Sequence, residues 1–313
     1  VEVKIIFDDF GNIKRFSGET IDRLREVGVE VFIFNPVHEY VNRLHFNYRD
    51  HRKIACIDGD VAYTGGVNIA DEYANLIERF GYWKDSGVCL EGEGAWGLTA
   101  SFIRMCVNLG GVMHNEHDYY RPHTPVKSEG FCQPFTDGPQ NNPDNPAEDV
   151  FLQMISGARR FLYITTPYFI PDESLMRALC IAGDGGVDVR LMLPGKPDHW
   201  YADCVAESYF GELIKHGVKV YRYTPGFLHG KSIMVDREAA FVGSANMDYR
   251  SFELIGFEPD RRFGQDVLVG DFYVVGTDGE NLASLPQDKM EKYAALSRAG
   301  QMRGARQRAQ LPL

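Results

Sequence analysis

Short apolar segments alternate with amphipathic ones along this chain, and the alternation comes round twice. VEVKIIFD (Val1–Asp8) and GVEVFIFNP (Gly28–Pro36) are β-branched and aromatic runs bounded by Gly, Pro or Asp, the pattern of buried strands. Between them, ETIDRLREVG (Glu19–Gly28) places its apolar residues at helical spacing. The same order returns in VDVRLMLP (Val187–Pro194), DCVAESYFGELIKHG (Asp203–Gly217) and GVKVYRYTP (Gly217–Pro225). The second copy has extra elements in front. AEDVFLQMISGARR (Ala147–Arg160) predicts a helix and FLYITTPYFIP (Phe161–Pro171) a buried strand. DESLMRALCIAGDG (Asp172–Gly185) predicts a second helix with Asp172 as N-cap. Alternating strands and helices predict an α/β architecture of mixed sheets flanked by helices.

Each copy then continues into one further string. HRKIACIDGDVAYTGGVN runs from His51 to Asn68, and HGKSIMVDREAAFVGSAN from His229 to Asn246. Both read His-x-Lys, an Asp seven positions after the His, and a Gly-Gly/Ser-x-Asn turn at the same later spacing. Residues two apart on a strand share a face, so His51 and Lys53 point together, as do His229 and Lys231. The turns at Gly65–Gly66 and Gly243–Ser244 are expected to offer open backbone amides to an anion. Asn68 and Asn246 follow as side-chain donors. A duplicated string of this length is not a chance match, whereas a lone His-x-Lys would carry no information.

The predicted organisation is a first half over 1–135, a Pro/Asn-rich linker over 136–147, a second half over 148–280 and a basic helical tail over 281–313. The chain opens at Val1 directly in a strand. Comparison of the two copies implies that roughly 40 residues of the first half precede it.

Two such halves facing each other across a pseudo-two-fold would surround one phosphate with two lysines and two asparagines, a histidine on either side. That suits in-line displacement at a phosphodiester: one imidazole attacks phosphorus while the other protonates the leaving oxygen. The lysines stabilise charge on the equatorial oxygens. No metal or other cofactor is required. An unperturbed imidazole pKa of about 6.5 serves both roles.

The strings NYRDHRKIACIDG, TGGVNIADEY, PYFIPD, GVDVRLMLP, YTPGFLHGKSIMVD and GSANMDYRSFEL, spread from Val1 to Leu254, resemble the phospholipase D superfamily, and within it the bacterial cardiolipin synthases. The resemblance implies transfer of a phosphatidyl group between two phosphatidylglycerol molecules, giving cardiolipin and glycerol through a phosphohistidine. Hydrolysis to phosphatidic acid, a superfamily nuclease and an inactive lipid-binding remnant are the alternatives. It assigns His51 as nucleophile and His229 as general acid/base, an order that the pseudo-symmetry allows to be reversed. Lys53, Lys231, Asn68 and Asn246 would bind phosphate, with Gly66 and Ser244 beside them. Asp58 and Asp236 belong to the motif, but their spacing fits a role in the strand turn better than contact with substrate. A carboxylate on the following strand orients each histidine in the family; here Asp85 would serve His51 and Glu258 would serve His229. Partners would be phosphatidylglycerol and anionic lipid, at the cytoplasmic side of a bacterial membrane.

The chain departs from the family pattern at RSFELIGFE (Arg250–Glu258), which lacks an Asn and carries one extra residue, enough to reverse the facing of a strand. In WKDSG, Lys84 and Gly87 stand where the family tends to have Arg and His.

Composition narrows the partners. A formal charge of −11 disfavours general binding to nucleic acid. The 6 cysteines contain no CxxC pair and read as free thiols. No apolar run reaches the length of a membrane span, and no signal-peptide pattern is visible. HNEHDYYRPH (His114–His123) fits no usual zinc spacing and reads as a polar loop. The tail, with Lys289, Lys292, Arg298, Arg303, Arg306 and Arg308, reads either as a solvated helix or as a contact for anionic lipid.

Overall fold

The computed structural model describes residues 1–12, 17–36, 49–115, 118–127, 131–137, 146–248, 251 and 270–275. Glu258 and the basic tail lie outside the described residues, as does most of the expected 136–147 linker.

The first part begins with strand β1 (Val3–Asp8), the one-turn helix α1 (Asp9–Asn12), helix α2 (Gly18–Glu26) and strand β2 (Val29–Phe34). Ser17 caps α2 by accepting the Thr20 amide at 3.3 Å. β1 and β2 pair in parallel as a two-stranded sheet. Strands β3 (Ile54–Ile57), β4 (Val61–Gly65) and β5 (Gly87–Glu91) form a separate antiparallel sheet. A 3₁₀ turn at Gly92–Ala95 then leads into helix α3 (Trp96–Asn108).

Strand β6 (Cys132–Asp137) corrects the predicted boundary at residue 135. It runs through that position and pairs with a strand of the second half. Pro134 is tolerated because β6 is an edge strand, where a missing amide costs no ladder bond. Helix α4 (Pro146–Gly157) likewise starts inside the expected linker.

The second half follows as β7 (Phe161–Thr165), β8 (Phe169–Ile170), α5 (Glu173–Asp184), β9 (Asp188–Pro194), α6 (Trp200–Lys215), β10 (Lys219–Tyr223), β11 (Ser232–Val235), β12 (Ala239–Gly243) and β13 (Met247–Asp248). Asp172 caps α5 as the sequence predicts, accepting the amides of Leu175 at 2.9 Å and Ser174 at 3.2 Å. With β14 (Gly270–Val275) and β6, five of these strands build a seven-stranded mixed sheet in the order β10-β9-β7-β11-β12-β14-β6, while β8 and β13 pair with each other in parallel. β10, β9 and β7 are parallel, and the remaining neighbours are antiparallel. Leu162, Ile164, Val189, Leu191 and Ile233 are buried in one core with Leu175 and Leu179 of α5 and Leu213 of α6. Each such side chain contributes about 2 kcal/mol from burial.

β7 joins β9 to β11 in the second half, while among the described residues no strand joins β1 to β3. The repeated order of elements is therefore realised as one sheet in the second half and as two in the first.

The two motif hairpins match closely. Ile54 faces Thr64 across β3–β4, and Ser232 faces Val242 across β11–β12. Asp58 and Asp236 sit in the turns with φ of 54° and 53°. Seven residues at about 3.3 Å each put these carboxylates far along the hairpin from the imidazoles. Asp236 accepts the amides of Arg159 (2.7 Å), Arg160 (2.9 Å) and Phe161 (2.7 Å), tying the turn to the start of β7. Asp236, grouped with the motif's chemistry, thus holds the turn as its spacing suggests, and Asp58 occupies the matching turn position.

Burial pushes the Asp236 carboxyl up, but the three backbone donors outweigh it and hold it below its usual value. Its stabilisation is present at neutral pH and disappears as pH falls through that lowered value. Asp236→Ala leaves three donors unpaired and should cost about 2–4 kcal/mol. In urea denaturation the midpoint should fall with the slope unchanged, and the deficit relative to wild type should shrink in acid.

Candidate active site

The site lies where the two hairpins meet, and main-chain hydrogen bonds align them. Tyr82 N–H donates to Pro225 O (3.0 Å), Lys84 N–H to Phe227 O (2.9 Å), and His229 N–H returns to Lys84 O (2.7 Å). Lys84 and Leu228 thus form a parallel bridge between the halves. The approach is close enough to dictate glycine: a Cβ on Gly226 would stand 2.4 Å from Tyr82 O, and one on Gly81, at φ 76°, 2.5 Å from Pro225 O.

This bridge carries Asp85 to His229. His229 Nδ1 is 2.8 Å from Asp85 Oδ2, both side chains nearly inaccessible. The expected partnership of Asp85 with His51 is corrected: the carboxylate following the first motif serves the histidine of the second. The other Asp85 oxygen accepts the Ser86 amide at 2.8 Å, fixing the carboxylate plane. Since a carboxylate only accepts, the His229 proton on this side belongs to Nδ1, which leaves Nε2 for chemistry.

His51 is held differently. Its Nδ1 is 3.0 Å from the carbonyl oxygen of Ser244, again an acceptor, so Nδ1 carries a proton and Nε2 a lone pair. The approach to His51 is fixed by Asp8 at the end of β1, which accepts the Asp50 amide at 3.0 Å. Arg52 grips Asp50 through Nε at 2.9 Å and Nη2 at 3.1 Å.

Lys53 Nζ donates to its own His51 carbonyl, and Lys231 Nζ to that of His229. Lys231 is 1% exposed, and its Nζ is 2.9 Å from His229 Nδ1. Burial, with Lys53 adding and Asp85 opposing, brings Lys231 down to about 7. His229 is lowered to about 4, by burial first and then by Lys231, against the pull of Asp85. Lys53 is the foremost cause of lowering at His51, followed by burial and the other cations. These are the signs of a site whose cations face one another and whose electrostatics an anion would relieve.

An aromatic wall supplies much of that burial. Tyr73, Trp83 and Phe227 lie with ring centroids 5.1, 5.8 and 5.8 Å from the His229 ring. Tyr73 Oη is 3.5 Å from His229 Nε2 and accepts from Asn68 Nδ2 at 2.7 Å. Asn68 is therefore in the site, but it reaches His229 through Tyr73. Asn246 Oδ1 is buried without a hydrogen-bond partner.

Two of the turn amides expected to be open are taken. Gly66 N–H is taken by Ser86 O at 3.0 Å, and Gly243 N–H by Lys231 O at 3.3 Å. Gly66 is required for space: a Cβ there would stand 2.2 Å from Asp85 Oδ1 and 3.0 Å from His229 O. Ser244 contributes its carbonyl to His51. Gly87 lies in β5 opposite Gly65, and Lys84 serves the bridge through its backbone.

Tyr73, Trp83, Phe227, Tyr168 and Asp198 were not singled out from sequence. Tyr73 and Phe227 lie within the resembling strings TGGVNIADEY and YTPGFLHGK, the signal by which they could have been found. Exposed apolar side chains flank the site: Ile69, Leu76 and Ile77 on the loop carrying Tyr73, and Trp200 and Tyr201 at the start of α6. Of the candidate metal loop, His114 bonds Glu2 and stacks on Tyr119, while residues 116–117 lie outside the described residues. Among the described residues, no group of three or more His, Cys, Asp or Glu side chains is arranged to hold a metal ion.

Residues 151–256 match a family model described as cardiolipin synthase, PLD-like domain. A cardiolipin synthase of Halalkalibacterium halodurans is 40% identical over 87% of this chain and 54% of its own length. The major cardiolipin synthase of Bacillus subtilis is 40% identical over 81% of this chain and 52% of its own. This chain belongs to the phospholipase-D-like family. It spans about half the length of the curated relatives it matches. Phosphatidylserine synthase of Haemophilus influenzae shares the fold, with a TM-score of 0.57 at 13% identity over 93% of this chain and 80% of that one.

An anion between the lysines should restore the ammonium of Lys231. Calorimetric titration with inorganic phosphate at pH 8, in two buffers of different ionisation enthalpy, should show net proton uptake. Uptake should fall in Lys231→Met. No uptake in the wild type would mean that Lys231 is already charged in the free protein.

Proposed function

We propose that this chain is the catalytic portion of a cardiolipin synthase working at a membrane surface on its cytoplasmic side. The observation that carries the reading is the pair of imidazoles, each with Nδ1 committed to an acceptor from the other half and its own lysine beside it. Relatives named cardiolipin synthase over most of the chain supply the substrate class. The apolar side chains flanking the site support a lipid surface as its working environment. Among the described residues, no helix is long and apolar enough to cross a membrane.

In the first step His51 Nε2 attacks phosphorus of one phosphatidylglycerol. The bond from phosphorus to the head-group oxygen breaks, and that oxygen takes a proton from His229 Nε2, releasing glycerol. His51 then carries the phosphatidyl group. A hydroxyl of a second head group gives its proton to His229 Nε2 and attacks phosphorus. The phosphorus–nitrogen bond breaks, cardiolipin leaves and both histidines are regenerated. Asp85 supports the imidazolium of His229, which favours His229 as the acid/base partner, while the neutral Ser244 carbonyl leaves His51 as a nucleophile. Substrate charge between the lysines raises the His229 pKa from its low free value, arming it as an acid once substrate is bound. Lys53 and Lys231 stabilise the equatorial oxygens.

Phosphatidylglycerol in mixed micelles, with products read by mass spectrometry, should yield cardiolipin and glycerol. Turnover should drop by at least about a thousand-fold in His51→Ala and in His229→Ala. Enzyme quenched with denaturant at mildly alkaline pH, where a phosphorus–nitrogen bond survives, should carry the phosphatidyl adduct on His51, and an adduct on His229 would reverse the two roles. Phosphatidic acid without cardiolipin would replace the synthase reading with that of a hydrolase.

A further inference from the structure

Beside the phosphate-binding cluster stands a carboxylate that the transfer mechanism does not use. Asp198 lies between β9 and α6, in a loop anchored against the second motif: Gly195 and Lys196 N–H both donate to Gly226 O at 3.3 Å, three residues before His229. Tyr168 donates its hydroxyl to Asp198 Oδ2 at 2.8 Å, and the His199 ring stacks on Tyr168 with centroids 6.0 Å apart. His199 Nε2 is 3.7 Å from the same oxygen. Oδ1 is shut away from solvent and has no hydrogen-bond partner. Gly226 in turn abuts Tyr82, and a Cβ on Gly81 would stand 3.2 Å from Lys196 Nζ, which places this loop against the joint between the halves, at the edge of the same site.

A buried carboxylate oxygen left without a donor is costly, and it selects for a ligand that brings one. A metal ion would need further ligands, and no group of three or more His, Cys, Asp or Glu side chains is arranged to hold one among the described residues; an ammonium would add a further positive charge beside Lys53 and Lys231. An anionic group is repelled. The ligand that fits is a neutral hydroxyl, attached to a phosphate held between Lys53 and Lys231. We infer that Asp198, oriented by Tyr168, is a subsite for the hydroxyl groups of a polyol head group esterified to the bound phosphate. The inference rests on the phosphodiester reading above and deepens it: the lysines bind any phosphate, while Asp198 sorts head groups by their hydroxyls. A site built to accept from a hydroxyl discriminates strongly against the analogue lacking it, whereas an apolar pocket does not.

Two phosphomonoesters of equal charge isolate the effect: glycerol 3-phosphate and propyl phosphate, which differ by two hydroxyls. Calorimetry on the wild type should show glycerol 3-phosphate binding at least about ten-fold more tightly. In Asp198→Asn that ratio should fall several-fold towards unity. Any change in local charge acts on both ligands alike and cancels in the ratio. Tyr168→Phe, which leaves Asp198 in place but unoriented, should lower the ratio less. Equal binding of the two ligands by the wild type, or a ratio unchanged in both variants, would overturn the inference. Because nothing turns over in this assay, that failure is separate from failure to convert phosphatidylglycerol, which would overturn the synthase reading instead.

Discussion

Three main-chain hydrogen bonds between Tyr82–Lys84 and Pro225–His229 hold the catalytic arrangement in register. They are backbone bonds, so they fix position more tightly than a side-chain contact would. They sit where a Cβ on Gly81 or Gly226 would force the segments apart. From them follows the placement of Asp85 on His229, and from that the tautomer of the imidazole. His51 depends on the same joint in the other direction, through the Ser244 carbonyl of the opposite hairpin. Each histidine is thus oriented by the half that does not contain it.

The second constraint is electrostatic. Two ammonium groups and two imidazoles share a space walled by Tyr73, Trp83 and Phe227, with Asp85 as the nearest compensating charge. The protein carries a formal charge of −11, yet it concentrates positive charge between the two motifs. That local excess depresses the pKa values of both histidines and of Lys231. Binding of an anion reverses the cause, so charge neutralisation and reprotonation of these groups are one event.

Much of this was legible in the sequence, because it is local. The shared face of His and Lys follows from strand periodicity, and the two hairpins have the matching registers that their equal spacing demands. The Asp172 cap is likewise local, and so is the placing of Asp236 in a turn, whereas the amides that Asp236 grips lie far off in the chain. What could not be read is what crosses between halves. Asp85 was assigned to His51 because it comes with the strand that follows that motif, and the pairing across the joint cannot be read from order along the chain. Gly66 looked like an anion-binding amide, but Ser86 takes that amide, and the glycine is there to make room for a carboxylate. Tyr168 and Asp198 lie in unrelated strings, and only the fold makes them neighbours.

The crossed orientation of the histidines also has a consequence for biosynthesis. As the polypeptide emerges, His51 is synthesised long before Ser244, and Asp85 long before His229. Neither half, folded alone, contains a correctly oriented imidazole facing a second one. A nascent chain therefore passes most of its synthesis without an assembled site. Competence arrives in a single step, when the second hairpin docks on the first.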